Sequence, residues 1–309
     1  MSEAMRDVFG KKLAEIGAHN KKLVVLDADV SSSTKSSVFG KAFPERFFNC
    51  GVAEGNMAGV AAGLAAAGFH PVINTFSIFL TLKCLDQIRH DFCYNHLPVV
   101  VAAAYGGFSD SYDGASHQTI EDIAIMRALP NMEVVVPADA GQAAGALEYA
   151  LSRDTPVFIR LNRNAFPDLP SPFSFAEKKP LALRDGGDLT IAANGITVHA
   201  ALEAATRLAA HGIEAAVFSM PFVKPCIPGA LADSVKKTGV LVTVEEHNIL
   251  GGAGSALLER LAADGVGFRW KAIGVNDCFG DTGAYPELLK AFGLDAESIA
   301  AEIQRFLKR

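Results

Sequence analysis

A glutamate within a run of small residues is the first candidate for chemistry in this sequence. Glu54 lies between Ala53 and Gly55, and residues 57–67 after it have the small side chains of a closely packed helix. Glycine allows another chain segment or a ligand to approach the backbone closely. A carboxylate in this setting would be poorly solvated and could exchange a proton or a hydrogen bond with a ligand. On local sequence alone, the alternative is a helix-start carboxylate that interacts with the helix dipole.

A second group of polar side chains lies in a loop after an apolar segment, residues 97–104, that is predicted to be a strand. The loop, residues 105–117, contains three glycines and side chains with hydroxyl, carboxyl and imidazole groups, among them Tyr105, Asp113 and His117. Loops after the strands of a parallel sheet lie at the edge where ligands usually bind. These side chains are therefore candidates for ligand binding, and a surface histidine is the alternative for His117.

Two phenylalanines, Phe76 and Phe79, stand three residues apart after another predicted strand. They could stack on a flat ring, although core packing is the alternative on periodicity alone. A glycine-rich segment at residues 251–255 also follows a strand, but it matches neither G-x-G-x-x-G nor a P-loop. We therefore interpret that segment as close packing of a helix on a sheet, and a nicotinamide-binding site is unsupported.

Composition and charge exclude several classes of protein. The chain has 309 residues, half of them hydrophobic, which suffices for two domains with cores of their own. A net charge of -6 without a basic stripe argues against binding nucleic acid. The five cysteines are scattered without zinc-site spacing, the first residues include no apolar signal core, and no apolar run approaches the ~20 residues that span a bilayer. We therefore expect a cytoplasmic protein without a membrane segment.

Apolar segments of strand length alternate with segments of helical periodicity along the whole chain. This alternation predicts an α/β fold with mostly parallel sheets flanked by helices. Prolines concentrate near residues 167–180, which indicates a linker. We predict two domains, residues 1–165 and 185–309, joined by a linker at 166–184. Residues 31–37 are predicted to form a polar loop.

Several motifs occur in an order and spacing that resemble a known family. They are GVAEGNM at 51–57, TFSIF at 75–79, LPVV at 97–100, DGASHQ at 113–118, PNMEVVVPAD at 130–139 and VTVEEHN at 242–248. The chain is similar to the C-terminal half of transketolase and of the related 1-deoxyxylulose-5-phosphate synthase, which are thiamine-diphosphate enzymes. The resemblance implies that the first domain is a pyrimidine-binding domain and the second a transketolase C-terminal domain.

The resemblance also implies roles for residues near the cofactor. Glu54 matches the catalytic glutamate that forms a hydrogen bond with N1′ of the cofactor's aminopyrimidine. Phe79 matches the ring that stacks on the pyrimidine, and Phe76 matches a neighbour that lines the same pocket. Asp29 and Val30 match positions close to the cofactor.

Other residues are matched to the substrate. His117 corresponds to the histidine that contacts the substrate hydroxyl or carbonyl, with a role in catalysis, and Asp113 to the aspartate that reads a substrate hydroxyl. Tyr105 stands where transketolases usually carry another histidine. Arg163, or alternatively Arg160, matches the arginine that holds a sugar phosphate through a charge-assisted fork.

The sequence departs from the family in two ways. Gly106 and Gly107 lie in a loop where the synthase usually has an arginine. The Gly-Asp-Gly motif, followed at a distance by Asn, that anchors Mg²⁺ and the diphosphate in the family has no counterpart in the sequence. The resemblance therefore implies a split enzyme, in which an N-terminal partner subunit holds Mg²⁺ and the diphosphate in an α2β2 assembly, with no metal ligand on this chain.

We therefore predict the C-terminal subunit of a two-component transketolase, which transfers a two-carbon ketol unit from a phosphorylated ketose to an aldose. One alternative is another thiamine-diphosphate enzyme, either a deoxyxylulose-phosphate synthase or the beta subunit of a 2-oxo acid dehydrogenase. The DGASHQ motif favours the sugar enzymes over the dehydrogenase. A non-catalytic assembly or regulatory partner is the other alternative, and the joint presence of Glu54, Phe79 and His117 argues against it.

Overall fold

The computed structural model describes residues 3–308, and the ends of the predicted domains at residues 1, 2 and 309 lie outside this part of the chain. The strands are β1 Leu23–Asp27, β2 Phe47–Asn49, β3 His70–Phe76, β4 Val100–Ala104, β5 Glu133–Val135, β6 Val157–Arg160, β7 Leu181–Arg184, β8 Leu189–Ala193, β9 Ala215–Ser219, β10 Phe222–Lys224, β11 Val240–Asn248 and β12 Arg269–Val275. The α-helices are α1 Met5–His19, α2 Ser31–Thr34, α3 Ser37–Ala42, α4 Glu54–Ala66, α5 Ser77–Lys83, α6 Leu85–Gln87, α7 Asp122–Ala128, α8 Ala140–Leu151, α9 Thr197–Ala209, α10 Ala230–Thr238, α11 Ala253–Ala263, α12 Tyr285–Ala291 and α13 Ala296–Leu307. Short 3₁₀ turns occur at Pro44–Arg46 and Gly114–Ser116, and Ile88–Tyr94 is a π-helix. No helix within residues 3–308 has both the length and the apolar character needed to cross a membrane.

In the first sheet, the described residues form seven strands in the order β10-β5-β6-β4-β3-β1-β2. Neighbouring strands run parallel except β10, which is antiparallel to β5. Successive residues of β1 point into different core clusters: Val25 packs with Phe9 of α1, and Leu26 with Met57 of α4. The continuous apolar run of β1 is therefore explained by burial on both faces of the sheet.

In the second sheet, residues of the described range form five strands in the order β12-β11-β8-β9-β7. All pairs are parallel except β7 with β9. Helices α9 and α13 share a core cluster with one face, through Val198 and Ile303, whereas α10 and α11 belong to another cluster through Leu231 and Leu257. The predicted fold class, two mostly parallel sheets flanked by helices, is confirmed.

Two short strands do not follow the predicted division into two domains and a linker. Strand β7 lies inside the predicted linker at 166–184 but pairs with β9, with Leu181 opposite Ser219. Strand β10 comes from the second half of the chain yet joins the first sheet, where Phe222 lies opposite Val135. Both are edge strands of three or four residues, which are too short for their side chains to show a clear alternation.

A buried ionic network joins the two domains. The Nε atom of Arg160 donates to Asp122 Oδ2 at 2.8 Å, and Nη2 donates to the backbone oxygens of Thr119 at 2.8 Å and Glu246 at 3.0 Å. Arg160, Asp122 and Glu246 are all nearly inaccessible to solvent. Because an unpaired charge in such a place is strongly destabilising, each partner requires the other.

Replacing Arg160 by methionine should destabilise the subunit by about 3–5 kcal/mol, because Asp122 would be left buried without its cation. Denaturant unfolding of the purified subunit measures this loss in the free energy of unfolding. The exposed ion pair of Arg207 and Glu203 provides a control, and Arg207→Met should leave the free energy unchanged within error. A loss no larger for Arg160→Met than for Arg207→Met would contradict the importance of the buried pair.

Candidate functional site

The predicted site residues follow the carboxyl ends of adjacent parallel strands. Val30 comes after β1, Phe76 ends β3, Tyr105 follows β4 and Arg163 follows β6, and these strands are neighbours in the order β6-β4-β3-β1. Because parallel strands end at the same edge of a sheet, residues distant in sequence are brought together there.

A cluster of aromatic rings occupies this edge. Phe76 stacks on Tyr105, with ring centroids 4.5 Å apart, and on Phe79, at 5.8 Å. The imidazole of His117 meets both phenylalanines edge-on, at 6.0 Å from Phe76 and 5.3 Å from Phe79. Val30 packs against the same cluster, which is separate from the two main core clusters of this domain. This separation favours a ligand platform over core packing for the phenylalanine pair.

Glu54 is the first residue of α4 and only 5% exposed. Its Oε1 accepts a hydrogen bond from Lys83 Nζ at 2.9 Å, and the same ammonium lies 4.0 Å from the centroid of the Phe79 ring. One cation therefore contacts both the carboxylate and an aromatic face. Lys83 was not predicted as a site residue, although it stands four residues after Phe79 on α5, a spacing that places both side chains on one helix face.

Arg163 lies beside Tyr105 and a buried carboxyl group. Its Cζ is 5.1 Å from the centroid of the Tyr105 ring, and its Nη1 donates to Asp110 Oδ1 at 3.0 Å. The other carboxyl oxygen of Asp110 is buried without a hydrogen-bond partner among residues 3–308. Burial raises the pKa of Asp110, as does the Asp113 carboxylate, whereas Arg163 and His117 act to lower it. These four side chains thus form one group, in which Asp113 is exposed. Asp110 lies in the candidate loop but was not predicted as a site residue.

Tyr105 is held in an unusual backbone conformation with φ of +62°, which a bulky residue rarely adopts. Its ring lies near two guanidinium groups, with Cζ of Arg6 at 5.6 Å and that of Arg163 at 5.1 Å from the centroid. Arg6 also donates a hydrogen bond to the tyrosine hydroxyl. Arg6 belongs to α1, and no local pattern in the sequence connects it with Tyr105.

Asp27, at the end of β1, organises the segment that carries Val30. Its carboxylate accepts hydrogen bonds from the Val30 N–H at 2.6 Å and from the hydroxyls of Thr34 and Ser36 at 2.8 Å. Burial raises the pKa of Asp27, although these hydrogen bonds act to lower it. The prediction of a polar loop at residues 31–37 is wrong, because the hydroxyls turn inward to this carboxylate and the segment forms α2 and the start of α3.

Two of the predicted residues face other parts of the protein. Asp29 is exposed and accepts a hydrogen bond from Asn49 Nδ2 at 2.8 Å. Arg160 does not suit the alternative role of holding a sugar phosphate, because its Nε and Nη2 atoms are bound inside the buried network. Of the two arginines, Arg163 is therefore the better candidate, because its side chain is 42% exposed.

Two further observations concern metal ions and cavities. Among residues 3–308, no group of three or more His, Cys, Asp or Glu side chains is arranged to hold a metal ion. A cavity of about 500 Å³ lies between α8 and the proline-rich segment, lined by residues that include Gln142, Gly145, Phe173 and Phe175. Its lining contains none of the predicted site residues, so it is distinct from the sheet edge described above.

Comparison with known proteins agrees with this architecture over the whole chain. Residues 2–168 match the family described as transketolase, pyrimidine binding domain, and residues 179–299 match transketolase, C-terminal domain. A protein of Methanocaldococcus jannaschii described as a transketolase C-terminal section is 41% identical over 310 residues, which cover 99% of this chain and 97% of that protein. The 6-deoxy-6-sulfo-D-fructose transketolase subunit SqwH of Clostridium sp. (strain MSTE9) is 37% identical, over 99% of this chain and 95% of the relative.

A solved structure of a split gene transketolase, described as an inactive β4 tetramer, superposes with a TM-score of 0.89 at 44% identity and covers 99% of this chain and 98% of that one. The two matched domains, their order along the chain and the nearly complete coverage of these relatives thus agree with the resemblance of the motifs. The chain belongs to the transketolase family of thiamine-diphosphate-dependent transferases, in which it is the C-terminal subunit of a split transketolase.

Proposed function

We propose that this subunit, together with its partner, transfers a two-carbon ketol unit from a phosphorylated ketose to an aldose. The observation that carries the proposal is the meeting of a buried carboxylate, an aromatic platform and a histidine at one sheet edge. Glu54, Phe79 and His117 supply these three groups, and they come from separate segments that the parallel sheet brings together.

The residues present fit the aminopyrimidine end of thiamine diphosphate. A flat, nitrogen-containing ring requires an aromatic or apolar face and a carboxyl partner, and Glu54 and Phe79 offer these side by side. The ammonium of Lys83 contacts both groups at once, which shows that one polar atom can meet the Glu54 carboxylate and the Phe79 ring face together. We assign Glu54 to N1′, Phe76 and Phe79 to the faces of the ring, and the segment at Asp29 and Val30 to the surroundings. When bound, the cofactor supplies a nucleophilic carbon and an electron sink.

Glu54 and His117 are the residues to which we assign roles in proton handling. Glu54 is almost fully buried at the start of a helix. Its carboxyl group can therefore exchange its partner Lys83 for a ligand atom without being exposed to bulk water. The hydroxyl of Ser116 lies 2.9 Å from Nδ1 of His117 and helps to fix the ring, which leads us to assign Nε2 to the substrate. The exposed carboxylate of Asp113 is assigned to a substrate hydroxyl.

We assign the substrate's phosphate to Arg163. Its planar guanidinium is suited to a phosphate fork, and the side chain is half-exposed beside Tyr105. The relative SqwH acts on a sugar whose name includes a 6-sulfo group, another anionic substituent, which supports an anion site in this family.

We infer that a partner subunit holds Mg²⁺ and the diphosphate in an α2β2 complex. The sequence has no Gly-Asp-Gly motif for this purpose. Apolar side chains are exposed around Glu54 and Lys83, with Val52 at 74%, Leu82 at 51% and Val60 at 41%, as expected for a surface that a partner covers. The related β4 tetramer is described as inactive, which also favours dependence on a second kind of subunit. We place the complex in the cytoplasm, because all five cysteines are free.

Glu54→Ala should lower kcat for ketol transfer by roughly 10²–10⁴-fold, the usual effect of losing a group that handles protons. The measurement is a coupled assay of the reconstituted complex with Mg²⁺ and thiamine diphosphate, with assembly checked by size-exclusion chromatography. Glu203→Ala, at an exposed helix position, is the control and should retain wild-type turnover. Wild-type turnover in assembled Glu54→Ala complex would refute the assignment.

Arg163→Met should raise the KM for a phosphorylated ketose by roughly 10- to 100-fold, the effect of losing a charged hydrogen bond of about 1.5–3 kcal/mol. The same ketose without its phosphate should show a much smaller change, and kcat should change little with either sugar. Initial-rate kinetics on both sugars provides the comparison. An equal rise in KM for the two would show that Arg163 does not bind the phosphate.

A further inference from the structure

Glu246, on β11 of the C-terminal domain, is buried and is bound to two segments of the first domain. Its Oε1 accepts a hydrogen bond from the backbone N–H of Phe108 at 2.9 Å, and its Oε2 accepts one from Asn162 Nδ2 at 3.4 Å. The hydroxyl of Tyr285, at the start of α12, donates to Oε1 at 2.9 Å. Each carboxyl oxygen therefore accepts a hydrogen bond from the first domain, and Oε1 also accepts one from Tyr285 of the C-terminal domain.

The two bound segments carry residues that we assign to the substrate. Phe108 belongs to the loop that begins at Tyr105 and ends at His117, and Asn162 is followed directly by Arg163. No residue of the C-terminal domain is among those assigned to the site, so Glu246 reaches the site only through its neighbours.

Two further contacts from the C-terminal domain support the middle of the same loop and the residue that follows it. Gln118 Nε2 donates to the backbone oxygen of Asp281 at 2.8 Å, and the N–H of Gly283 donates to the backbone oxygen of Ser111 at 3.1 Å. The loop with His117 is thus held from both sides by the C-terminal domain.

Two glycines of the first domain leave room for the buried network, Gly107 for Glu246 and Gly106 for Arg160. A Cβ atom at Gly107 would overlap the carboxyl group of Glu246, and one at Gly106 would lie 2.6 Å from Cγ of Arg160. Gly107 also has φ of +66°, which favours glycine. These are the glycines of the loop in which the related synthase usually has an arginine, so the sequence departs from that pattern where the Glu246 carboxyl group packs against the loop.

Glu246 is also connected to the aromatic platform through Arg160. The guanidinium of Arg160 binds the backbone oxygen of Glu246 and the Oδ2 atom of Asp122. The hydroxyl of Ser77 donates to the same Oδ2 at 2.7 Å, and Ser77 is the first residue of the helix that carries Phe79. The loop of residues 105–117, which we call the substrate loop, the segment before Arg163 and the helix α5 that carries Phe79 are therefore all bound to one buried network of Glu246, Arg160 and Asp122.

We propose that Glu246 is a positioning residue, through which the C-terminal domain sets the geometry of the substrate loop and of the segment before Arg163. The proposal rests on the proposed function for the identity of the substrate, but the contacts belong to the free subunit. Loss of the carboxylate would free the N–H of Phe108 and leave Asn162 Nδ2 with the Tyr285 hydroxyl at 2.9 Å as its partner, so substrate affinity should suffer more than the chemical step.

The ionisation of Glu246 provides a readout that a merely structural role would not change. Burial raises the pKa of Glu246 to about 7, opposed by the Arg160 guanidinium, while the Asp122 carboxylate acts in the same direction as burial. The Tyr285 hydroxyl is the other titratable group that faces it. The ionised carboxylate accepts all three hydrogen bonds, whereas the protonated acid has a proton directed at donors. Ionisation of Glu246 near pH 7 therefore changes the contacts that hold the loop, and the KM for substrate should depend on pH between 6 and 8.

Glu246→Gln tests the proposal, and Glu245→Gln is a matched control. Glu245 is the adjacent residue and equally buried, but its carboxylate accepts hydrogen bonds from the N–H groups of Ala253 and Gly254 within the C-terminal domain. The same chemical change is thus made one residue away, without a contact to the substrate loop. Tyr285→Phe removes one donor to Glu246 and the acceptor of Asn162 Nδ2 but keeps the carboxylate, and it serves as a second variant if Glu246→Gln does not fold.

Hydrogen exchange of the free subunit gives a result that is independent of catalysis. Amides of residues 106–118 should exchange about 10-fold faster in Glu246→Gln, as expected for the loss of one charged hydrogen bond, and somewhat faster in Tyr285→Phe. Glu245→Gln should leave this segment unchanged and increase exchange at the start of α11. Unchanged protection of residues 106–118 in both Glu246→Gln and Tyr285→Phe would overturn the proposal.

Kinetics of the reconstituted complex gives the second result. Glu246→Gln should raise the KM for the ketose about 10-fold with kcat within about twofold, and should flatten the dependence of KM on pH between 6 and 8. Glu245→Gln should keep the wild-type KM and pH profile. If Glu246→Gln lowered only the yield of folded complex, with KM and its pH profile unchanged, the residue would be structural and the proposal wrong. Absence of ketol transfer by the wild-type complex would instead refute the proposed function, and hydrogen exchange would still decide the positioning role.

Discussion

A guanidinium group enclosed between two domains must have its donors satisfied, and this requirement constrains much of the molecule. Arg160 extends from the end of β6, and its partners come from α7, from the loop before α7 and from β11. Because an uncompensated buried charge would cost several kcal/mol, these elements cannot move apart independently. The helix with Phe79 is bound through Ser77 to Asp122, the carboxylate that pairs with Arg160, so the aromatic platform and the domain interface share one hydrogen-bond network.

The carboxyl edge of the first sheet carries the side chains that can bind a ligand. Four parallel strands end beside each other, which places a ring platform, a buried carboxylate and an imidazole within reach of one molecule. The side chains differ in their surroundings: Tyr105 is buried and contacts two guanidinium groups, whereas Lys83, which contacts Glu54, is half-exposed. Buried groups thus lie beside one half-exposed contact, that of Lys83 with Glu54, and this arrangement suits a site that a partner subunit completes.

Much of the fold and part of the site could be predicted from the sequence, for physical reasons that particular residues illustrate. Strands buried on both faces are continuous apolar runs, and the motifs around Glu54, Phe79 and His117 lie in segments that follow strands. The short edge strands β7 and β10 were missed because three or four residues carry too little pattern. The burial of Arg160 and the contact of Arg6 with Tyr105 depend on which distant helix or domain packs against them, and no local spacing encodes that.

Strand β10 belongs to the second half of the chain but completes the first sheet beside β5. A fragment that ended in the proline-rich segment would therefore expose the backbone donors and acceptors along the edge of β5, and open edges of this kind pair readily with other chains. The division that is visible along the sequence is thus not a division in space. Cleavage between the two halves of this subunit would therefore yield pieces with an unpaired strand edge, which would be prone to associate with other chains.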